Sequence, residues 1–137
     1  MDALDAATRE RLVAVADLLV PAADGMPSAS EIDVVGRWLD RVLDADPSLI
    51  EPVAALADCA TWDALEARAE ADPAGFELGA FAIVAAYYLH PGVRRRMGYT
   101  GQGPSPILEG EADWYLRDDI LAPVRRRGAV FVPTPDA

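Results

Sequence analysis

Apolar residues recur through the first ninety positions at the spacing of one face of an α-helix, and proline, glycine and capping residues cut the pattern into short segments. Leu12, Val15, Ala16 and Leu19 stand at i, i+3, i+4 and i+7, the stripe of a core-facing helix. Asp5 is placed to cap that helix, and Pro21 ends it near Val20. A loop from Ala22 to Pro27 follows, with Asp24-Gly25 as a turn signal. Ser28 and Glu31 make a Ser-x-x-Glu capping box ahead of a second periodic run. Ile32, Val35, Leu39 and Val42 line one side of it to about Leu43. Gly36 falls in the middle, where it costs about 1 kcal/mol against alanine. Close approach of another helix is the expected compensation.

Asp46-Pro47 closes that unit. Ser48 to Asp58 is rich in Ala and Leu and predicts a helix, with Pro52 tolerated in its first turn. Thr61 caps a short helix carrying Trp62 and Leu65. Asp72-Pro73 is an N-cap followed by proline at the first helical position. The helix it opens, to about Leu89, is apolar nearly all round, and Glu77 is its only charge. Such a helix is expected at the centre of a bundle. Trp38, Trp62, Phe76, Phe81, Tyr87 and Tyr88 stand at helical spacings and are expected in the core. His90-Pro91 starts one more short helix. It ends at Gly98, a natural C′ residue, with Arg94, Arg95 and Arg96 in a last turn that favours cations.

Beyond this point the periodicity stops. Tyr99 to Pro106 is too interrupted by glycine and proline to be regular. Trp114, Tyr115 and Leu116 allow one further helical turn. From Pro123 on, the pattern predicts extended chain around Val130, Phe131 and Val132. The expected fold is all-α: a compact, orthogonal or bundle-like helical domain with an irregular Gly/Pro-rich C-terminal extension. Its 137 residues suit one domain, with a helical core over 1–98 and an arm over 99–137 that packs on the core or on a partner.

Composition narrows the function. Hydrophobic residues make up 52% and the net charge is −11, which fits a globular chain and argues against nucleic acid, whose phosphates need a basic footprint. All twelve basic residues are arginine, so lysine Schiff-base chemistry is excluded. The single Cys59 excludes an internal disulfide and a cysteine-held metal cluster, and its Ala/Leu surroundings predict a buried structural thiol. The longest uncharged run, Leu78 to Val93, is broken by Pro91 and falls short of the roughly 20 residues a bilayer requires. The N-terminus, Met-Asp-Ala-Leu-Asp, has no leader pattern. A cytoplasmic location without membrane insertion is the expectation.

Candidate chemistry is sparse. His90, the one histidine, precedes a proline, where N-capping or surface exposure is expected. Gly98-x-x-Gly101-x-Gly103 lacks the strand before and helix after that a nucleotide fingerprint requires. Glu109, Glu111, Asp113, Asp118 and Asp119 form an acidic cluster between two arginine triplets, Arg94 to Arg96 and Arg125 to Arg127. Charge pairing within the chain explains that arrangement without a reaction. No metal site or cofactor pattern occurs in the chain. Tyr99, Trp114, Tyr115 and Phe131 sit in irregular segments, where aromatic residues often make contacts.

Several short motifs, in order, resemble the gluconate 2-dehydrogenase subunit 3 family. They are Leu18-Leu19-Val20-Pro21-Ala22, Pro27-Ser28-Ala29-Ser30-Glu31, Arg94-Arg95-Arg96-Met97-Gly98-Tyr99, Gly101-Gln102, Leu121-Ala122-Pro123-Val124-Arg125 and Pro133-Thr134-Pro135. The resemblance implies a non-catalytic small subunit accompanying a large FAD-dependent dehydrogenase of the glucose–methanol–choline type, which acts on sugars, sugar acids or alcohols. The large subunit would hold FAD and the sugar site, and the small one would support its folding. In the family a twin-arginine signal on the small subunit also guides export. This chain begins directly at its first helix, so a cytosolic stabilising partner, or a subunit shaping access to the flavoprotein's site, is the expectation. The family defines no catalytic residues to carry over. Arg94, Tyr99, Gln102, Trp114, Tyr115, Arg125 and Phe131 are the residues expected at the subunit contact. The alternative is a stand-alone helical enzyme or ligand-binding module using the clustered carboxylates with Tyr87, Tyr88 or Tyr99.

Overall fold

The structure, a computed structural model, describes residues 4–103 and 119–130. The chain divides into two compact units, Met1–Gly101 and Gln102–Ala137. The described residues are all-α, with no strand among them.

In the first unit, α1 (Ala6–Leu19) starts where Asp5 accepts from the Thr8 backbone N–H at 2.7 Å. Leu12, Val15 and Ala16 of its predicted stripe are buried, and Leu19 is partly so. The loop that follows turns at Asp24 and Gly25, both at positive φ (49° and 78°), between the paired residues Ala23 and Met26. That is the signature of a type I′ turn, where glycine and aspartate are tolerated.

The capping box is realised in full: the Ser28 N–H donates to Glu31 Oε2 at 2.6 Å, and the Glu31 N–H to Ser28 Oγ at 3.4 Å. The helix it was expected to open is broken. A 3-10 turn (Ser30–Ile32) ends at Asp33, which takes the left-handed conformation (φ 52°). A wide turn (Val34–Trp38) follows, with Gly36 outside helical geometry (φ −84°, ψ −134°), and only then α2 (Leu39–Ala45). The reason is local. A Cβ on Gly36 would collide with the Asp33 carboxylate, so a neighbouring side chain, and no second helix, occupies the space above this glycine. Arg9 repairs the break. Its guanidinium donates to the Val35 carbonyl at 2.7 Å, to the Leu4 carbonyl at 3.2 Å and to the Asp40 carboxylate.

The 3-10 turn Pro47–Leu49 leads into α3 (Ile50–Ala55). Thr61 caps α4 (Trp62–Ala71), and Asp72 caps α5 (Pro73–Leu89). The centre of the unit is α5, packed against α2, α3, α4, the Val34–Trp38 turn and the last helix, α6 (Pro91–Arg96). The close helix approach is at Gly79. A Cβ there would lie 2.7 Å from the Pro52 carbonyl oxygen and 2.8 Å from Leu56 Cδ1, so α3 and α5 meet backbone to backbone. Cys59 is buried, as its surroundings predict.

Not every expected core residue is inside. Trp38 and Tyr87 are buried, and Phe76 is partly buried. Trp62 is 58% exposed, Phe81 60%, and Tyr88 is nearly half exposed. An all-apolar helix has no polar side to mark its outer face. The helices around α5 are short, and they cover it on one side only.

In the second unit Pro123 does not begin extended chain. It lies in the first turn of a helix, α7 (Ala122–Arg127), with Arg125, Arg126 and Arg127 in its last turn and Gly128 (φ 74°) beyond. Proline in a first helical turn loses no hydrogen bond, because that N–H has no intrahelical acceptor. Of the stretch expected to be extended, Val130 is exposed, and Phe131 and Val132 lie outside the described residues, as does the turn expected at Trp114, Tyr115 and Leu116.

Candidate functional site

Three features of the first unit adjoin one another around α5 and α6. The first is an open groove of about 410 Å³ at the end of α6, lined by Pro91, Arg94, Arg95, Tyr99, Thr100 and the glycines Gly98 and Gly101. Its shape comes from the helix stop. Gly98 (φ 73°) donates its N–H to the Arg95 carbonyl at 3.0 Å, and Tyr99 to the Arg94 carbonyl at 2.9 Å. This is a Schellman ending, and it reverses the chain so that Tyr99 and Thr100 face the last turn of α6. Two of the expected contact residues, Arg94 and Tyr99, thus share one groove.

The second feature is the pair Trp38 and His90. Their rings meet edge to face, 5.3 Å apart at 76°. Arg37 stands 4.3 Å over the indole ring and Arg41 5.9 Å from it, a cation–π arrangement. His90 Nδ1 accepts from the Gly92 N–H at 3.1 Å and so caps α6, as its place before Pro91 predicts. Burial, then the guanidiniums of Arg37 and Arg95, pushes the imidazole below its ordinary value of 6.5.

That shift fixes a sign. Below about pH 6.5 the unfolded chain takes up a proton that the folded chain refuses, so stability falls as the pH drops. Asp5 and Asp17 act in a lower window. The Thr8 N–H lowers Asp5. Partial burial raises Asp17, but hydrogen bonds from Ser30 and Ser28 outweigh it. Both contributions are lost only as those carboxylates protonate, below 3.8. His90→Asn keeps a capping oxygen and is expected to abolish the loss of stability between about pH 7.5 and 5.5 while leaving the acidic one intact. Urea titrations across that range are the check, and equal losses in parent and variant would contradict the assignment.

The third feature is apolar. Leu78, Phe81, Ala85 and Tyr88 stand at i, i+3, i+7 and i+10 on α5, one face of the helix. Leu78, Phe81 and Tyr88 are exposed and Ala85 is half-buried. Beside them lies a groove of about 380 Å³, lined by Val42, Ala45, Leu49, Phe81, Ala85 and Leu89, with Arg41 and Asp46 at its edges. Sequence reasoning placed Phe81 and Tyr88 in the core and missed this surface. The available signal was a helix with more apolar faces than its short neighbours could cover.

The remaining expected contact residues fall elsewhere. Gln102 and Arg125 belong to the second unit, where both are exposed. Trp114, Tyr115 and Phe131 lie outside the described residues. So does the acidic cluster apart from Asp119, which takes positive φ (53°) before α7. Tyr87 donates its hydroxyl to the Pro27 carbonyl at 2.7 Å. Burial, then Tyr88, pushes its pKa up, so it remains a protonated structural donor. The described residues include no group of three His, Cys, Asp or Glu able to hold a metal ion, and no helix among them is long and apolar enough to cross a membrane. What the arrangement offers chemically is recognition: guanidinium groups, an aromatic groove and an uncovered apolar face. No protein-family model, curated protein or solved structure matches the chain.

Proposed function

We propose that this chain is a non-catalytic accessory subunit that stabilises a large FAD-dependent dehydrogenase of the glucose–methanol–choline type acting on a sugar or sugar acid. One observation carries the binding role: the exposed stripe of Leu78, Phe81 and Tyr88 on the central helix. Large apolar side chains exposed along one helix face are a mark of protein contact sites. The choice of a flavoprotein rests on the resemblance of several short motifs, in order, to the gluconate 2-dehydrogenase subunit 3 family. In this reading FAD and the reacting sugar belong to the partner, and this chain supplies surface. A stand-alone enzyme built on Tyr87 is less well supported, because that hydroxyl is committed to Pro27.

The test is purification of the tagged full chain from its native host. A large yellow protein with the absorbance of bound flavin should accompany it. Recovery of the bare chain would count against the reading.

A further inference from the structure

The arginines of the first unit are not used alike. Arg9, Arg11 and Arg68 pair with Asp40, Asp58 and Asp72, and Arg96 donates to the Gly25 carbonyl. Arg37, Arg41, Arg94 and Arg95 have no carboxylate or carbonyl partner among the described residues. Three of them, Arg37, Arg41 and Arg95, adjoin the Trp38–His90 pair, and Arg94 stands beside Arg95 on α6. Arg37 and Arg41 flank the Trp38 ring, whose edge neighbour His90 is in the field of Arg37 and Arg95. Arg94 and Arg95 line the α6 groove. Arg41 does double duty, since it also stands at the edge of the apolar groove between α2 and α5. The acidic residue at that groove, Asp46, is already engaged by the N–H and hydroxyl of Ser48, at 3.1 Å and 2.6 Å.

A group of arginines without carboxylate partners among the described residues is unexpected on a chain of net charge −11. Its field draws acidic groups toward this part of the first unit, against the net repulsion of the chain. The apolar groove beside it needs side chains to fill it. The two requirements together describe one kind of occupant. A second copy of the chain fits poorly, because two bodies of charge −11 repel at long range.

We propose that the α2/α5 groove docks an amphipathic acidic segment of the partner protein, its apolar side chains seated on Phe81, Ala85 and Leu89 and its carboxylates paired with Arg41 and Arg37. The inference rests on the accessory-subunit reading only for the existence of a partner; the nature of that partner's redox chemistry does not enter. Apolar contact supplies most of the affinity, and the arginines set orientation and encounter rate.

The probe is a synthetic helical peptide of about 15 residues, with leucines at i, i+3 and i+7 and glutamates flanking them. Its control carries lysine for each glutamate. Titrated into the isotope-labelled full chain, the acidic peptide should shift the amide signals of Ala45, Leu49, Phe81, Ala85 and Leu89. It should bind at least about tenfold more tightly than the lysine peptide, and Arg41→Glu with Arg37→Glu should erase that preference. Both arginines are exposed, so an unchanged unfolding midpoint shows that the variant is folded. Equal or tighter binding of the lysine peptide, shifts scattered away from the groove, or an unaffected preference in the variant would each overturn the proposal. So would self-association that buries these residues in sedimentation runs. Probe binding seen only after Glu109, Glu111 and Asp113 are neutralised would assign the groove to the chain's own acidic insert, and the proposal would fall. A flavoprotein retained equally by the groove variant would sink the docking assignment and leave the accessory reading standing. A seated acidic peptide with no flavoprotein ever recovered would do the reverse.

Discussion

Gly79→Ala is expected to lower the unfolding free energy by about 2 kcal/mol, although alanine is the better helix former by about 1 kcal/mol. The sign is decided by what the new methyl group meets. One neighbour is the Pro52 carbonyl oxygen at 2.7 Å, part of the α3 backbone; the other is Leu56 Cδ1 at 2.8 Å. A side chain can swing away from such a contact, but a backbone oxygen moves only with its helix. Overpacking of this kind typically costs 1–3 kcal/mol and exceeds the gain in propensity. Leu56 is fully buried, and Leu56→Ala is expected to cost about 3 kcal/mol through lost burial and the cavity left behind. The two changes share a contact, so they should not add. In the double variant the Leu56 half of the clash is gone, and the total should fall short of the sum by at least about 0.5 kcal/mol. Denaturant unfolding of the four proteins measures this cycle. A stabilised Gly79→Ala would show that α3 and α5 are further apart than described.

Phe81→Asp is expected to behave in the opposite way, with little effect on folding and a large one on binding. Phe81 is 60% exposed, so its removal should change stability by no more than about 0.5 kcal/mol. A carboxylate in its place would face the apolar side chains of the proposed partner segment, and among the residues lining the groove Arg41 alone is a cation. Loss of a central aromatic anchor commonly costs 2 kcal/mol or more, so affinity for the partner should drop by roughly thirtyfold or beyond. Tyr88→Asp should act in the same direction. Ile83→Asp is the control for misfolding: Ile83 is fully buried on the opposite side of α5, and an unpaired charge there should unfold the chain. If Phe81→Asp unfolds the protein as Ile83→Asp does, the exposed face has been misassigned.

The parts of the fold that were legible in the sequence are those written locally. Asp5, Ser28 with Glu31, Thr61, Asp72 and His90 each cap where their spacing predicts, because a cap is settled within three or four residues. Gly98 closes α6 for the same reason. The break at Gly36 was not legible. A glycine within a helical pattern marks either close approach of another helix or a departure from helical geometry, and the sequence signal is the same for both. What distinguishes them is Asp33, whose left-handed backbone and intruding carboxylate stop the helix. The close approach belongs to Gly79, and its cause, the Pro52 carbonyl, is distant in sequence.

The candidate site was legible only in part. Arg94 and Tyr99 were singled out from the family-like motif and from the irregular segment that begins at Tyr99, and the glycine stop between them is what brings them to one groove. Phe81 and Tyr88 were assigned to the interior because α5 has no polar stripe to orient it. Choosing its outer face requires knowing which neighbours are too short to reach, which is a tertiary fact. The gathering of Arg37, Arg41 and Arg95 about the Trp38–His90 pair depends on His90 meeting Trp38 across the fold, and no local pattern records it.

The most direct measurement is a dye-linked dehydrogenase assay on three purified samples: the flavoprotein proposed as the partner, the chain alone, and the two together. The account predicts no turnover by the chain alone, the same kcat for the flavoprotein with and without it, and a longer half-life of that activity on warming when both are present. Oxidation of a sugar by the isolated chain, eliminated by changing one of its residues, would contradict it.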